Sequence, residues 1–285
     1  MRTIVLNRSN IESSNGYNNQ FVYKFPTTVN FKDDFVAVSS VSLYYSWYNI
    51  SEALGNNRFS YNWADSGTNN YQTYNVVIPD GLYEIADINA FLQSVFIANG
   101  HYLVNATSQN VYYAEVVVNS SRYKIQINTF SVPTSLPAGF SAPANWAGYP
   151  ASPFNPVITI PSGFSDIVGY TAGFSTTQNQ GNTTNLSFLS QGVPDVQPNS
   201  SILFNLSNID NQYSSPSGII YSVAPNVAIG QLIVDKPSSL AFQPLLNGNY
   251  NELRLQILGT DLKEIQIQDP EITILLVIRN KDDPV

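Results

Sequence analysis

The sequence predicts an all-β protein, built as a two-layered sandwich of antiparallel sheets. Two stretches near the end of the chain, and one missing pattern, lead there. Glu252-Leu-Arg-Leu-Gln-Ile-Leu258 sets Leu253, Leu255 and Ile257 against Glu252, Arg254 and Gln256, the period of two of a strand with one buried and one wet face. Ile272-Thr-Ile-Leu-Leu-Val-Ile278 is almost wholly apolar and rich in β-branched residues. A run that continuous reads as a strand covered on both faces, near the middle of a sheet. No fixed-period repeat runs through the chain, which argues against propellers and solenoids. A chain whose last strand lies deepest closes its sheet by bringing a late segment back between early ones. Greek-key sandwiches do this and jelly rolls do it twice, so a jelly-roll β-sandwich is the expected architecture.

From the start, Phe21, Tyr23 and Phe25 alternate after Gln20, and Pro26 is expected to stop that strand. Asp34 to Tyr48 is a long second strand whose alternation changes phase at Ser39-Ser40, the mark of a β-bulge. Asp33-Asp34 before it reads as a solvated turn. Asn57 to Trp63 and Tyr71 to Ile78 flank Asp65-Ser-Gly-Thr-Asn-Asn70 and suggest a hairpin with a loop longer than the tightest types. Pro79-Asp80-Gly81 breaks the chain. Ile88, Phe91, Leu92, Val95 and Phe96 then form one apolar stripe at helical spacing. This is the one short amphipathic helix expected, over about residues 87–98, with Asp87 as cap and Asn99-Gly100 as stop. Strands resume at Tyr102 to Asn105, Val111 to Val118 and Arg122 to Val132. Pro133 to Pro161, dense in Pro, Gly, Ala and aromatics, reads as long packed surface loops. Gln178 to Thr184 reads as a polar, mobile loop tip. Further strands are expected at Ser201 to Ser207, Gly218 to Val223 and Gly230 to Val234. Gly259-Thr-Asp261 supplies a turn, after which Ile265-Gln-Ile267 resumes the alternation.

Composition narrows the function. The 285 residues are 43% hydrophobic, enough for a sizeable core, but only 11% charged, against roughly 25% in an average soluble protein. Such a surface suits a protein covered by partners or tolerant of close neighbours. The net charge of −8 and twelve scattered basic residues oppose binding to nucleic acid or to anionic membranes, both of which need clustered Lys and Arg. The absence of cysteine excludes disulfides and thiolate chemistry. No signal peptide is expected from the first residues, and no apolar run reaches transmembrane length. Eight Asn-x-Ser/Thr triplets, at Asn7, Asn49, Asn105, Asn119, Asn182, Asn185, Asn199 and Asn205, follow from abundant Asn and Ser rather than from glycosylation.

Catalytic motifs are sparse. His101 is the single histidine; a helix-terminal imidazole near solvent is the plainer reading than a member of a nucleophilic triad, and no G-x-S-x-G accompanies it. A zinc site needing two His or Cys ligands cannot be built, and no phosphate-cradling glycine loop is present. Asp261, Glu264, Asp269 and Glu271 leave a glycosidase pair as a remote option, and an EF-hand does not fit their spacing. No cofactor or metal is expected, and the chain is not expected to be an enzyme. Exposed aromatics are the remaining binding chemistry. Tyr44, Tyr45, Trp47 and Tyr48 form the densest group, followed by Tyr112-Tyr113 and Trp146 to Tyr149. Half of any strand's aromatics point inward; the rest suit a subunit interface or a glycan-stacking platform equally.

Several segments, taken in order, resemble the penton (vertex capsid) proteins of virophages, polinton-like viruses and related large DNA viruses. They are Tyr44-Tyr45-Ser-Trp47-Tyr48-Asn49-Ile50 with Asn56 to Tyr61; Ile78-Pro-Asp-Gly81-Leu-Tyr83-Glu-Ile85-Ala-Asp87-Ile-Asn89; and Tyr250 to Leu255 with Asp269-Pro270 to Ile278. The resemblance runs from about Asn18 to Ile278, weakest across Pro133 to Gln197. It implies a jelly roll standing on the shell as a homopentamer at each icosahedral five-fold vertex, in contact with the major capsid protein, and hence a place in the virion. It also implies an insertion between jelly-roll strands, expected at residues 101–199, leaving 1–100 and 200–285 as a discontinuous jelly-roll domain. No catalytic residue belongs to the pattern. The alternative from the residues alone is a carbohydrate-binding β-sandwich, a lectin or receptor-attachment protein with a host surface glycan as partner; a glycoside hydrolase comes third.

Overall fold

The computed structural model describes residues 1–12, 16–177, 180–181, 183–196 and 199–283. The first three strands are β1 (Arg2–Leu6), β2 (Gln20–Phe31) and β3 (Asp34–Tyr44). A middle block follows: β4 (Arg58–Ala64), β5 (Tyr71–Val77), helix α1 (Ile85–Asn99), β6 (Tyr102–Val104), β7 (Asn110–Tyr112), β8 (Ala114–Asn119) and β9 (Lys124–Thr129). It continues through β10 (Ile158–Ile160), helix α2 (Ser162–Val168), β11 (Phe174–Ser175) and β12 (Leu186–Leu189). The last strands are β13 (Ile202–Leu206), β14 (Ile219–Val223), β15 (Leu232–Asp235), β16 (Gln243–Pro244), β17 (Gly248–Leu258) and β18 (Thr273–Asn280). The chain divides into two compact units, Met1–Tyr48 with Pro198–Val285, and Asn49–Gln197.

The first unit is a jelly roll. One sheet runs β1-β18-β3-β15, with the short β16 also on β3; the other runs β14-β13-β17-β2. Every pairing is antiparallel. The last long strand lies beside the first and the one before it beside the second, which is the paired Greek-key closure expected from the buried final strand. In β18, Ile274, Leu276 and Ile278 are sealed and Val277 is 7% exposed, so the apolar run occupies the sheet interior as its composition requires. Leu253, Leu255 and Ile257 of β17 are likewise buried while Arg254 is exposed.

Register details explain where local signals succeed or fail. Leu275 pairs with Ser40 but Leu276 with Val38, so Ser39 is the extra residue of a bulge that shifts the alternation of β3. Pro26 does not end β2, contrary to expectation. The pairing of β2 with β17 jumps from Lys24–Glu252 to Val29–Tyr250, and Pro26 sits in that irregularity on the outermost strand of its sheet, where a missing N–H breaks no regular ladder. Asp33 is exposed, but Asp34 is only 3% exposed and not part of a solvated turn. Its carboxylate accepts from the Arg2 guanidinium at 2.7 Å and the Lys32 amide at 3.0 Å, which offsets the cost of burying it. Ile265 and Ile267 are buried as expected, but only isolated bridges form here, at Glu264 and Ile267, because the backbone turns between the two isoleucines through an Ile267 N–H to Ile265 carbonyl bond.

The second unit holds two sheets, β11-β10-β4-β5 and β12-β9-β8, and the hairpin β6-β7. The expected hairpin over 57–78 is β4–β5, paired from Arg58–Val77 to Ala64–Tyr71. This moves the domain boundary from about 100 to between Tyr48 and Asn49. β4 pairs with β10 rather than with a jelly-roll strand, and Tyr61, Trp63, Ile88, Leu92 and Phe96 share one core with Ile127 and Phe154. The hairpin and helix therefore belong to the insertion, which joins the third jelly-roll strand, β3, to the fourth, β13.

Helix α1 begins at Ile85, earlier than expected, and Asp87 works from its third residue by accepting the Glu84 N–H at 2.8 Å. Gly100 ends it at φ 70°, where a Cβ would stand 1.8 Å from the Asn145 carbonyl oxygen. Gly100→Ala is therefore expected to cost at least about 2 kcal/mol, from left-handed strain plus a clash with backbone that cannot yield, read as a lowered unfolding midpoint. A second helix, α2, was not expected. It is only seven residues long, too short for periodicity to declare, and is held by Phe164 stacking on Phe59 at 5.2 Å. The Pro133 to Pro161 stretch is largely irregular but packed, with Phe154 and Asn155 fully buried. Strands β10, β11 and β12 were likewise not foreseen. The expected mobile tip at Gln178 to Thr184, and the Asn182 triplet within it, fall partly outside the described residues.

Candidate functional site

The four aromatic residues singled out from sequence split between core and surface. Tyr45 and Trp47 are 3% and 2% exposed, with ring centroids 4.2 Å apart. Tyr45 is locked by backbone bonds with Gly230 and Gln231, and Trp47 by a bridge to Ile267. Neither can stack on a glycan or meet another subunit, which corrects their candidacy: past the end of β3 the alternation continues, and their side chains face inward. Tyr44 is exposed and Tyr48 half-buried. Tyr44 pairs across the sheet with Leu232, and Ser42 with Val234; these two, with Val5, are also exposed. The outer face of the β1-β18-β3-β15 sheet thus presents apolar side chains to solvent.

The outer face of the other sheet has opposite chemistry. Asn30 bonds Asn249 at 2.7 Å and Thr28 bonds Asn251 at 2.6 Å across β2 and β17. Arg254 reaches Glu252 at 2.7 Å and Glu12 at 3.1 Å. Asn208, Asn249, Tyr250, Asn251, Glu252 and Arg254 line an open pocket of about 520 Å³. At the other end of this sheet, the hydroxyl of Tyr221 donates to Asp235; burial, and then that bond, push the phenol up to about 12.

In the second unit, His101 is fully buried rather than near solvent. It stacks on Trp63 at 4.2 Å and lies edge-on to Tyr74 at 4.7 Å, while its Nδ1 bonds the Tyr61 hydroxyl at 2.8 Å. Burial holds the imidazole down to about 3, so it is neutral and enclosed, with no route to act on an external substrate. The signal for this was the density of aromatics around it, not its position after a helix. Tyr113 and Trp146 join the same cluster. Asn49, one of the eight triplet asparagines, is also buried, its amide bonding the carbonyls of Tyr83 and Val196 at 2.7 and 2.6 Å. Tyr170 has a similar role: its hydroxyl accepts from Ile127 N–H at 3.0 Å and donates to Phe188 carbonyl at 2.7 Å. Tyr170→Phe is expected to cost about 1–3 kcal/mol by stranding those groups, measured by denaturant unfolding.

The four acids considered for glycosidase chemistry serve separate surface contacts. Asp261 pairs with Lys263 at 3.3 Å and Glu271 with Arg8 at 3.2 Å; Glu264 accepts from Gln20 at 2.6 Å and Asp269 from the Glu271 amide at 2.7 Å. Among the described residues no three His, Cys, Asp or Glu side chains gather as a metal site, and no helix is long and apolar enough to cross a membrane.

These features define an all-β protein whose nine-stranded jelly roll, counted among the described residues, carries a long insertion between its third and fourth strands. The selenomethionine-labelled mavirus penton protein is a similar solved structure, at TM-score 0.44 and 12% identity, over 97% of this chain and 96% of that one. No protein-family model and no curated protein matches the chain.

Proposed function

We propose that this chain is a structural capsid subunit, the penton that forms a homopentamer at the five-fold vertices of an icosahedral virion and contacts the major capsid protein. The observation that carries the reading is the jelly roll closed by β18 and interrupted between β3 and β13, in a chain whose ordered motifs at Tyr44 to Tyr61, Ile78 to Asn89 and Tyr250 to Ile278 resemble those of pentons. The low charge content supports it, since like copies packed in a ring repel one another less. The exposed Tyr44, Leu232 and Val234 are the proposed contact residues, with the half-buried Tyr48; partly exposed apolar groups on a sheet face are what association removes from water. Native mass spectrometry, with and without the major capsid protein, tests the pentamer, and cryo-electron microscopy of the parent particle tests the vertex. Density for this chain anywhere but the five-folds would sink the proposal. Val234→Asp, at an exposed site, is expected to change stability by less than about 0.5 kcal/mol while sharply lowering the pentamer fraction.

A carbohydrate-binding reading has one observation in its favour, the amide-lined pocket of Asn249, Asn251 and Arg254 with Tyr250 in its wall. Saturable binding on a glycan array, lost on Asn251→Ala, is its test.

A further inference from the structure

Four polar atoms of one aromatic cluster lie out of reach of solvent with no protein hydrogen-bond partner: Trp63 Nε1, Tyr71 Oη, His101 Nε2 and Trp146 Nε1. Elsewhere among the described residues only Thr129 Oγ1 shares that condition, so the four are concentrated rather than scattered. His101 and Trp63 stack within 13° of parallel, and Trp146 meets the Trp63 ring edge-on at 6.2 Å. Phe154 packs against both Trp63 and Tyr71, at 5.5 and 5.2 Å.

The proton positions follow from the neighbouring bonds. Asn99 donates its amide N–H to the Tyr61 hydroxyl at 3.1 Å, which leaves the hydroxyl's own proton for His101 Nδ1. Nδ1 is then an acceptor, and the proton of the neutral ring sits on Nε2. His101 Nε2, Trp63 Nε1 and Trp146 Nε1 are therefore three buried N–H donors around one ring. Buried donors are ordinarily bonded, and what satisfies these must bring a lone pair. A buried anion would need a counter-charge. The unit's basic residues are Arg58, Arg122 and Lys124; Arg58 pairs with Glu52, and Lys124 is bonded to the Ser190 and Gln191 carbonyls. The aromatic partners of His101 are Tyr61, Trp63, Tyr74 and Phe96, none of them cationic.

We propose that the Trp63–His101–Trp146 cluster is an internal hydration site, holding at least one ordered water that accepts from His101 Nε2–H and from an indole N–H. Buried waters of this kind bond two to four otherwise unpaired groups and are part of the fold. Here the water ties β4 to the exit of α1 and, through Trp146, to the loop whose Ala147 N–H bonds the Gly100 carbonyl at 3.0 Å. A crystal structure at a resolution that shows ordered waters is the test. The expected result is an oxygen peak about 3 Å from His101 Nε2 and from Trp63 or Trp146 Nε1. A dry contact, or a protein acceptor on Nε2, overturns the site; an anomalous peak there in crystals grown with bromide overturns its uncharged character. Nitrogen-15 spectra of the histidine ring supply an independent reading. A proton on Nε2 supports the assignment, and a proton on Nδ1 removes the donor on which it rests.

Discussion

Acidification from pH 7 to pH 5 is expected to remove about 2 kcal/mol of stability from the Asn49–Gln197 unit through His101 alone, and about 4 kcal/mol by pH 3. The cause is the enclosure of a neutral imidazole. Burial lowers the folded-state value from 6.5 to about 3, whereas the unfolded chain keeps an ordinary histidine. Between those two values the unfolded state binds a proton that the folded state refuses, so stability falls as pH falls. The contribution is complete above pH 6.5, declines through the window from 6.5 to 3, and stays flat below it. Burial is the cause of the shift, and the aromatic neighbours of the ring among the described residues are Tyr61 and Trp63 of β4, Tyr74 of β5 and Phe96 of α1. The phenol of Tyr61 is itself pushed up by burial, so it stays neutral.

Denaturant unfolding across this pH range, for the natural chain and for His101→Phe, isolates the effect from titrating acids common to both. The variant loses the acceptor for the Tyr61 hydroxyl and is less stable at pH 7, but its pH slope over 6.5 to 3 should be shallower by the amounts above. If it does not fold, direct titration of the His101 ring by NMR in the natural chain still decides the matter. A midpoint near 6.5 would mean that the ring is open to water and would end this account. Trp63 and Trp146 lie in the same unit, so their fluorescence reports the local loss.

What was legible in the sequence depended on whether a signal was local. The alternation of Leu253, Leu255 and Ile257 and the phase change at Ser39-Ser40 each reflect which side of a strand meets the core, and the structure keeps both. The run at Ile272 to Ile278 lies inside its sheet as expected but is not covered on both faces, since Thr273 is exposed and Leu275 half-buried. The helix stripe from Ile88 to Phe96 was legible for the same reason. Pro26 misled because its effect depends on whether its strand is central or at an edge, which is a property of the sheet. Asp34 and His101 misled because charge and polarity describe the residue, whereas burial depends on distant partners such as Arg2 and Trp63. The unit boundary failed in the same way: β4 and β5 look like any hairpin until β10, about a hundred residues later, pairs with β4. Within the aromatic group at Tyr44 to Tyr48, alternation hides Tyr45 and Trp47 and leaves Tyr44 outside, a division that composition alone does not reveal.

Leu276→Ala is expected to destabilise the jelly-roll unit by about 2–5 kcal/mol, and Leu275→Ala by less than about 1 kcal/mol. The two residues are adjacent and chemically identical, so the difference isolates geometry. Leu276 is fully enclosed, paired with Ile4 on one side and Val38 on the other. Truncating it deletes buried methyl groups and leaves a cavity between strands that cannot close without breaking two ladders. Leu275 points to the outer face and is half-buried, so its truncation exposes little and costs mainly lost surface packing. Denaturant unfolding followed through Trp47, the tryptophan of this unit, measures both. Equal costs would mean that β18 is covered alike on its two faces, and the register that places Ser39 in the bulge would have to be redrawn. The Leu275 variant carries a second reading. Its outer face is the proposed ring contact, so a loss of pentamer at nearly unchanged stability would locate the assembly surface, whereas the Leu276 variant should lose pentamer only as it loses its fold.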